Sequence, residues 1–181
     1  VLSAQITFEG GDNLKFEIIT NGSNGAAFQL HNLLYPDLYP LKYAVEGGKS
    51  LIDSSNVHFD SNGNYSFSLH GPNGFVRQFS GNINHADMDV ILAYDPSDSA
   101  IILSFFIGTV AAKVTDNAYG QGTWHQVPGS HSYNLESSGN WYDLTIEFED
   151  LGYSRRFMGR LETGVESITD PAMGNLELQE E

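Results

Sequence analysis

With 181 residues and 8 Lys and Arg against 23 Asp and Glu, the chain carries a formal charge of −15, which excludes ordinary nucleic-acid binding because phosphate neutralisation needs clustered cations. An anionic lipid surface would repel it for the same reason. Eleven Phe, nine Tyr and an apolar share of 40% are too many for an acidic disordered chain, and zero cysteines remove disulfides, thiolate metal sites and cysteine nucleophiles.

The length allows one domain or two small ones. The first twenty residues hold Glu9, Asp12, Lys15 and Glu17 with no apolar core, and the chain begins at Val1. The expectation is therefore no signal peptide, and either a processed chain or a piece of a longer one. Strands follow in chain order. Leu14, Phe16 and Ile18 alternate with polar residues, Ala27 to Leu30, Lys42 to Val45 and Val57 to Phe59 are short apolar runs, and Tyr65, Phe67 and Leu69 alternate with serines. Further strands are predicted at Phe75 to Gly81, Val90 to Tyr94, Ile101 to Ile107, Ala111 to Thr115, Trp141 to Phe148 and Tyr153 to Gly159. The apolar stretch Ala100 to Ala112 is broken by Ser104, Gly108 and Thr109 and is shorter than the ~20 residues of a spanning helix, so no transmembrane segment is predicted. No amphipathic helix longer than two turns is visible. Nineteen glycines, many in Asn-Gly-type breaks, fit the same picture of strands and tight turns. The fold class expected is all-β.

Laid against itself, the chain repeats. Gly63-Asn64-Tyr65-Ser66-Phe67-Ser68-Leu69 and Phe75-Val76-Arg77-Gln78-Phe79-Ser80-Gly81 are answered by Gly139-Asn140-Trp141-Tyr142-Asp143-Leu144 and Tyr153-Ser154-Arg155-Arg156-Phe157-Met158-Gly159. Both copies carry aromatic-x-Arg-x-Phe-x-Gly, and more weakly Leu14, Phe16 and Ile18 match Ile101, Leu103 and Phe105. The expected architecture is two tandem Ig-like β-sandwich copies with antiparallel sheets, 1–84 and 85–174, followed by an acidic tail at 175–181. A tight turn, Gly71-Pro72-Asn73-Gly74, closes one hairpin, because Pro presets φ while Asn and Gly accept positive φ. Glu149-Asp150-Leu151-Gly152 closes the other.

Strand alternation puts Phe75, Arg77, Phe79 and Gly81 on one face, and Tyr153, Arg155, Phe157 and Gly159 on its counterpart. Each arginine therefore sits between aromatics. A guanidinium there suits an anion. It also suits a structural role, stacked on the rings and paired to a carboxylate inside its own sandwich, and a feature kept in both copies favours that role. Mid-strand Gly81 and Gly159 mark a bulge or a close backbone approach.

Nothing in the motifs points to catalysis: no nucleophile elbow, zinc-protease pair, phosphate loop or dinucleotide fingerprint occurs. No catalytic, cofactor or metal residue is assigned. Asp60-Ser61-Asn62-Gly63-Asn64 begins like a calcium loop, but Gly stands fourth rather than sixth and no acid closes it, so a plain turn is expected. His125 and His131 flank Pro128-Gly129 in what reads as a loop, without a third ligand. Among Trp124, Trp141, Tyr119, Tyr133 and Tyr142, an aromatic platform for sugar or choline is conceivable. Trp141 lies on an alternating strand and reads as core, whereas Trp124 follows the Gly-rich Gly120-Gln121-Gly122-Thr123 and is the candidate lipid or sugar contact.

The words Gly71-Pro72-Asn73-Gly74-Phe75-Val76-Arg77-Gln78-Phe79-Ser80-Gly81, Tyr142-Asp143, Arg155-Arg156-Phe157, Gly159, Glu162, Gly164 and Asp170-Pro171-Ala172-Met173-Gly174 resemble the tandem C-terminal domains of bacterial phosphocholine-specific phospholipases C. Met158, Arg160 and the turn of the second copy depart from that pattern. The resemblance implies a non-catalytic accessory region, since the hydrolytic chemistry of that family lies in a large domain preceding these copies. It implies a parent enzyme, exported to the periplasm or beyond, that hydrolyses phosphatidylcholine or sphingomyelin. The implied partners are the catalytic domain of the same parent chain and a zwitterionic lipid surface. Residues 1–83 hold 4 basic and 7 acidic groups and residues 84–181 hold 4 and 16, a balance that tolerates zwitterionic better than anionic lipid. The alternative is a free-standing carbohydrate or cell-surface binding module built around Trp124.

Overall fold

The computed structural model describes every residue except 10–12, 39, 55–57, 107, 109, 165, 167 and 175–181. Val57, Ile107, Ser167 and the acidic tail of the sequence reading therefore lie outside the described residues. Among those described, fourteen strands and four short 3-10 turns make up the regular structure. The first seven strands are β1 (Leu2–Glu9), β2 (Asn13–Thr20), β3 (Ala26–Asn32), β4 (Leu41–Val45), β5 (Lys49–Asp53), β6 (Asn64–His70) and β7 (Val76–Asn82). The second seven are β8 (Asp89–Asp95), β9 (Ala100–Phe106), β10 (Ala112–Asp116), β11 (Thr123–Gln126), β12 (Gly129–Asn134), β13 (Trp141–Phe148) and β14 (Tyr153–Arg160).

The two sets fold alike. A three-stranded sheet β1-β2-β5 is answered by β8-β9-β12, and the half-sheet β4-β3-β6-β7 by β11-β10-β13-β14. All pairings are antiparallel, and alternation puts one face of each sheet inside, so each half is a sandwich over its own apolar core. Phe16, Phe28, Leu30, Phe67 and Leu69 fill the first core, and Ile101, Leu103, Val114, Leu144 and Ile146 the second. The half-sheets join edge to edge through β7 and β14 into one sheet of eight strands. In that ladder Phe79 faces Arg155, Gln78 faces Arg156 and Arg77 faces Phe157, a register symmetric about the Gln78–Arg156 pair.

The all-β prediction holds, and the strong strands fall within a residue or two of their predicted places. Four strands escaped the reading: β1, β5, β11 and β12. The predicted strand ending at Phe59 is not one, because His58 and Phe59 lie in an irregular connection. His125 and His131 sit on β11 and β12 rather than in a loop. Trp141 is not core: it points away from the buried Tyr142 side of β13, half-buried, with its indole N–H donating to the Ile168 carbonyl at 3.1 Å.

Candidate functional site at the seam between the halves

The repeated motif is the joining strand. Arg77 is 1% exposed and Arg155 2%, so neither arginine offers itself to a solvent anion. Each stacks on the aromatic two residues before it, Arg77 over Phe75 at 4.1 Å and Arg155 over Tyr153 at 4.0 Å. Each then reaches into the other half. Arg77 Nη1 donates to the Met158 and Val76 carbonyls at 2.7 Å, and Nη2 to the hydroxyls of Tyr142 at 2.8 Å and Tyr94 at 2.6 Å. Arg155 Nη1 donates to the Ser80 and Ser154 carbonyls, and Nη2 to the Tyr65 hydroxyl at 2.9 Å.

This corrects the expectation of pairing inside each sandwich. The arginines cross over because β7 and β14 pair with each other, which sends each guanidinium past the seam. The expected carboxylate is also absent from Arg77 among the described residues: phenol and carbonyl oxygens surround it. Burial works against its charge, yet Tyr142 and Tyr94 hold its pKa above the ordinary value. Burial in turn pushes the Tyr142 phenol up. Arg155 has Asp89 Oδ1 at 4.0 Å from its Nε, and burial raises the Asp89 pKa, with Arg155 opposing the shift.

Tyr94 passes the network on, donating to the Leu2 carbonyl at 2.9 Å and lying 3.0 Å from the Tyr142 oxygen. Its position at the end of β8 is held in β1 by Phe8, which packs on Tyr65 at 5.6 Å without a hydroxyl to offer. Gly81 and Gly159 stand opposite Tyr65 and Tyr142 in their ladders. A Cβ at Gly81 would lie 2.5 Å from the Tyr65 hydroxyl and one at Gly159 3.1 Å from that of Tyr142. The glycines are there for the close approach. Aligning the Gly-Asn words would set Tyr65 against Trp141, but the structure sets it against Tyr142.

The remaining motif residues build the surrounding frame. Asn73 and Gly74 take positive φ in the β6–β7 turn, where Gly71 N–H donates to the Phe75 carbonyl and a Cβ at Gly74 would meet Trp141 at 3.2 Å. Asp143 accepts both Arg156 Nε and Nη2 at 2.8 and 2.7 Å, plus Asn117 Nδ2 at 2.9 Å. That bidentate pair raises the Arg156 pKa. Glu162 pairs with Arg160 at 3.0 Å. Gly164 has φ +81°, and Asp170 caps the 3-10 turn Pro171–Gly174 and accepts from Tyr119 at 3.0 Å. A cleft of about 390 Å³ opens between the halves beside this network, reaching Phe75, Tyr94, Tyr142, Arg160 and Glu162.

Trp124 stands apart from the seam. It is half-buried against the second core, its ring 5.7 Å from that of Tyr133. Tyr142, Tyr119 and Trp141 are each committed elsewhere, so the five aromatics do not form one platform. The Asp60 carboxylate is taken up by its own turn, accepting from the amides of Asn62 and Asn64 at 2.8 Å, which lowers its pKa. The seam residues missed from the sequence are Tyr65, Tyr94, Asp89 and Arg160. Tyr65 was legible as the partner of Tyr142 in the repeat and Arg160 only as a departure from the family pattern, while Tyr94 and Asp89 have no counterpart of their kind in the first copy to mark them.

Comparison with known proteins fits this geometry. The model of the family described as bacterial phospholipase C, C-terminal domain, matches residues 2–82, the span of β1 to β7. A non-hemolytic phospholipase C of Pseudomonas aeruginosa is 36% identical over 183 residues, covering 91% of this chain and 26% of the relative. A hemolytic phospholipase C of the same organism is 30% identical over 188 residues, with the same coverage. A non-hemolytic phospholipase C of Burkholderia pseudomallei is 33% identical over 171 residues, covering 87% of this chain and 24% of the relative. The chain thus spans about a quarter of the length of the curated relatives it matches.

Proposed function

Because the chain belongs to the family of C-terminal domains of bacterial phospholipases C, we propose that it is the non-catalytic accessory region of such an enzyme, docking on the catalytic part of the same parent chain and helping to present lipid. The parent is an exported hydrolase of phosphatidylcholine or sphingomyelin. Residues 1–84 and 85–174 act as two sandwich domains locked into one body. The observation that carries the reading is apolar surface left uncovered at the loop ends. Phe106 at the end of β9, Val110 on the β9–β10 connection and Val127 on the β11–β12 connection are each more than half exposed, as a face meant for another surface would be.

A free-standing carbohydrate module needs an open ring with polar neighbours. Trp124, packed on Tyr133 and the second core, favours it less.

The test is hydrolysis of phosphatidylcholine vesicles by the parent enzyme with and without this region. We expect a fall of at least tenfold on its removal, reproduced in part by Phe106→Glu with Val127→Glu. Full activity without the region, or phosphatidylcholine hydrolysis by the region alone, would sink the reading.

A further inference from the structure

The duplication makes each half a control for the other: a feature that the sandwich requires occurs twice, and one present in a single copy serves something else. The β3–β4 connection of the first half runs from 33 to 40 and contains Leu33, Leu34, Tyr35 and Leu38, exposed at 48%, 36%, 42% and 63%. Its counterpart, β10–β11, runs from 117 to 122 and folds over Asp116, whose carboxylate accepts from the amides of Ala118, Tyr119 and Gln121. One connection is apolar and open, the other short and polar. The β5–β6 connection is likewise longer than its counterpart, 54–63 against 135–140. Both lengthened connections lie at the same end of the first half.

Between them opens a cavity of about 490 Å³. Leu30 and Phe67 of the core form its floor, Leu41 and Phe59 flank it, and Tyr35 and Leu38 stand at its rim. A concave, mainly apolar cavity of this size is the usual form of a small-molecule site. The rim is held by backbone bonds, Leu33 N–H to the Ser66 carbonyl at 2.8 Å and Leu38 N–H to the Tyr35 carbonyl at 3.1 Å, so the leucines are displayed by ordered turns.

We propose that this end of the first half is a lipid-chain site: Leu33, Leu34 and Leu38 enter the acyl layer of a zwitterionic phospholipid surface, and one acyl chain from it occupies the cavity. The assignment rests on the accessory-region reading above and gives it a place. Charge argues for this occupant. From 30 to 45 the only formal charges are Asp37 and Lys42, so a neutral tip stands on a chain of −15. That tip meets a zwitterionic surface without repulsion, while an anionic one opposes the whole chain. Position argues the same way. Val1 lies at the opposite end of β1, a strand of 8 residues that spans roughly 26 Å at ~3.3 Å per residue. Any chain preceding Val1 joins there, at the far end of the sandwich from the leucines.

The experiment is co-sedimentation of the 181-residue chain with phosphatidylcholine vesicles, for the unchanged chain, Leu33→Glu with Leu38→Glu, Leu34→Glu and Trp124→Ala. Binding of the unchanged chain, at least tenfold weaker in both leucine variants and retained in Trp124→Ala, with unaltered melting temperatures, is the expected result. Equal binding by the leucine variants, loss in Trp124→Ala instead, or no sedimentation of the unchanged chain would overturn the site. So would uptake of monomeric laurate without partition into vesicles, which would make the cavity a soluble fatty-acid pocket. If removing the whole region leaves the parent fully active while vesicle binding follows the leucines, the accessory reading falls and the lipid-chain site stands.

Discussion

Arg77 and Tyr142 belong to different halves of the chain, yet the Arg77 Nη2 donates to the Tyr142 hydroxyl at 2.8 Å with both side chains closed to solvent. The reciprocal bond joins Arg155 to Tyr65 at 2.9 Å. Each half thus lends the other the cation that completes its tyrosine. Replacing Arg77 by Met removes its bonds to the Tyr142 and Tyr94 hydroxyls and to the Met158 and Val76 carbonyls, and is expected to cost about 2–4 kcal/mol, the scale of lost charge-assisted hydrogen bonds in a buried site. Urea unfolding of Arg77→Met, Tyr142→Phe and the double variant measures the loss. A coupling of at least ~0.5 kcal/mol across the cycle is expected for residues in contact, and strict additivity would separate them.

A truncated chain tests the seam as a whole. Residues 1–84 alone would expose the β7 edge and leave Arg77 without the Tyr142, Tyr94 and Met158 oxygens. No stable folded monomer is expected, and co-expression with 85–174 should recover one. A cooperative, monomeric 1–84 with a melting temperature matching the intact chain would show that the halves are energetically independent.

Gly81 is the sharper of the two glycines by available space. Gly81→Ala places a methyl 2.5 Å from the Tyr65 hydroxyl and 2.8 Å from its ring carbon, which drives the phenol off Arg155. We expect a loss of about 1–3 kcal/mol, the usual result of overpacking a filled core, read by thermal unfolding. A neutral outcome would mean that Tyr65 can move without cost, and that its bond to Arg155 contributes little.

A pH effect follows from His70, whose ring lies 5.3 Å from that of His31 and whose Nε2 is 2.9 Å from the Ser68 hydroxyl. Partial burial, then the neighbouring His31, lowers its pKa from 6.5. Around and below that value the unfolded chain binds the proton more readily than the folded one, so stability falls as pH drops through about 6.5 towards the lower pKa of the folded state. His70→Gln should flatten the melting profile across that window and leave it unchanged above pH 7.

What the sequence made legible was whatever repeats or alternates. The strands of the two cores carry apolar residues at every second place, and the aromatic-x-Arg-x-Phe-x-Gly word located the strand that matters most. The missed strands share a position: β5, β11 and β12 are sheet edges, and in Gly129–Asn134 only His131 and Tyr133 turn inward, half-buried, so the alternation involves no aliphatic residue that would mark it. β1, also an edge, does alternate through Leu2, Ala4, Ile6 and Phe8, but a small Ala among polar residues hid it. The crossing of the arginines was illegible for another reason. A repeat says that two strands are alike, and nothing in it says that they touch. The apolar end of the first half went unread because its leucines lie in turns, where spacing carries no period.

The ladder between β7 and β14 is symmetric about Gln78 and Arg156, and that symmetry reaches beyond the present molecule. A strand that fits its own duplicate in antiparallel register also fits an identical strand from a second polypeptide, the self-complementary contact of a two-fold dimer. The architecture is that of two subunits fused into one chain. Within one chain the two sides of the junction are free to differ, as Tyr94 of β8 differs from Phe8 at the matching place in β1, whereas a dimer of identical subunits carries every residue on both sides at once.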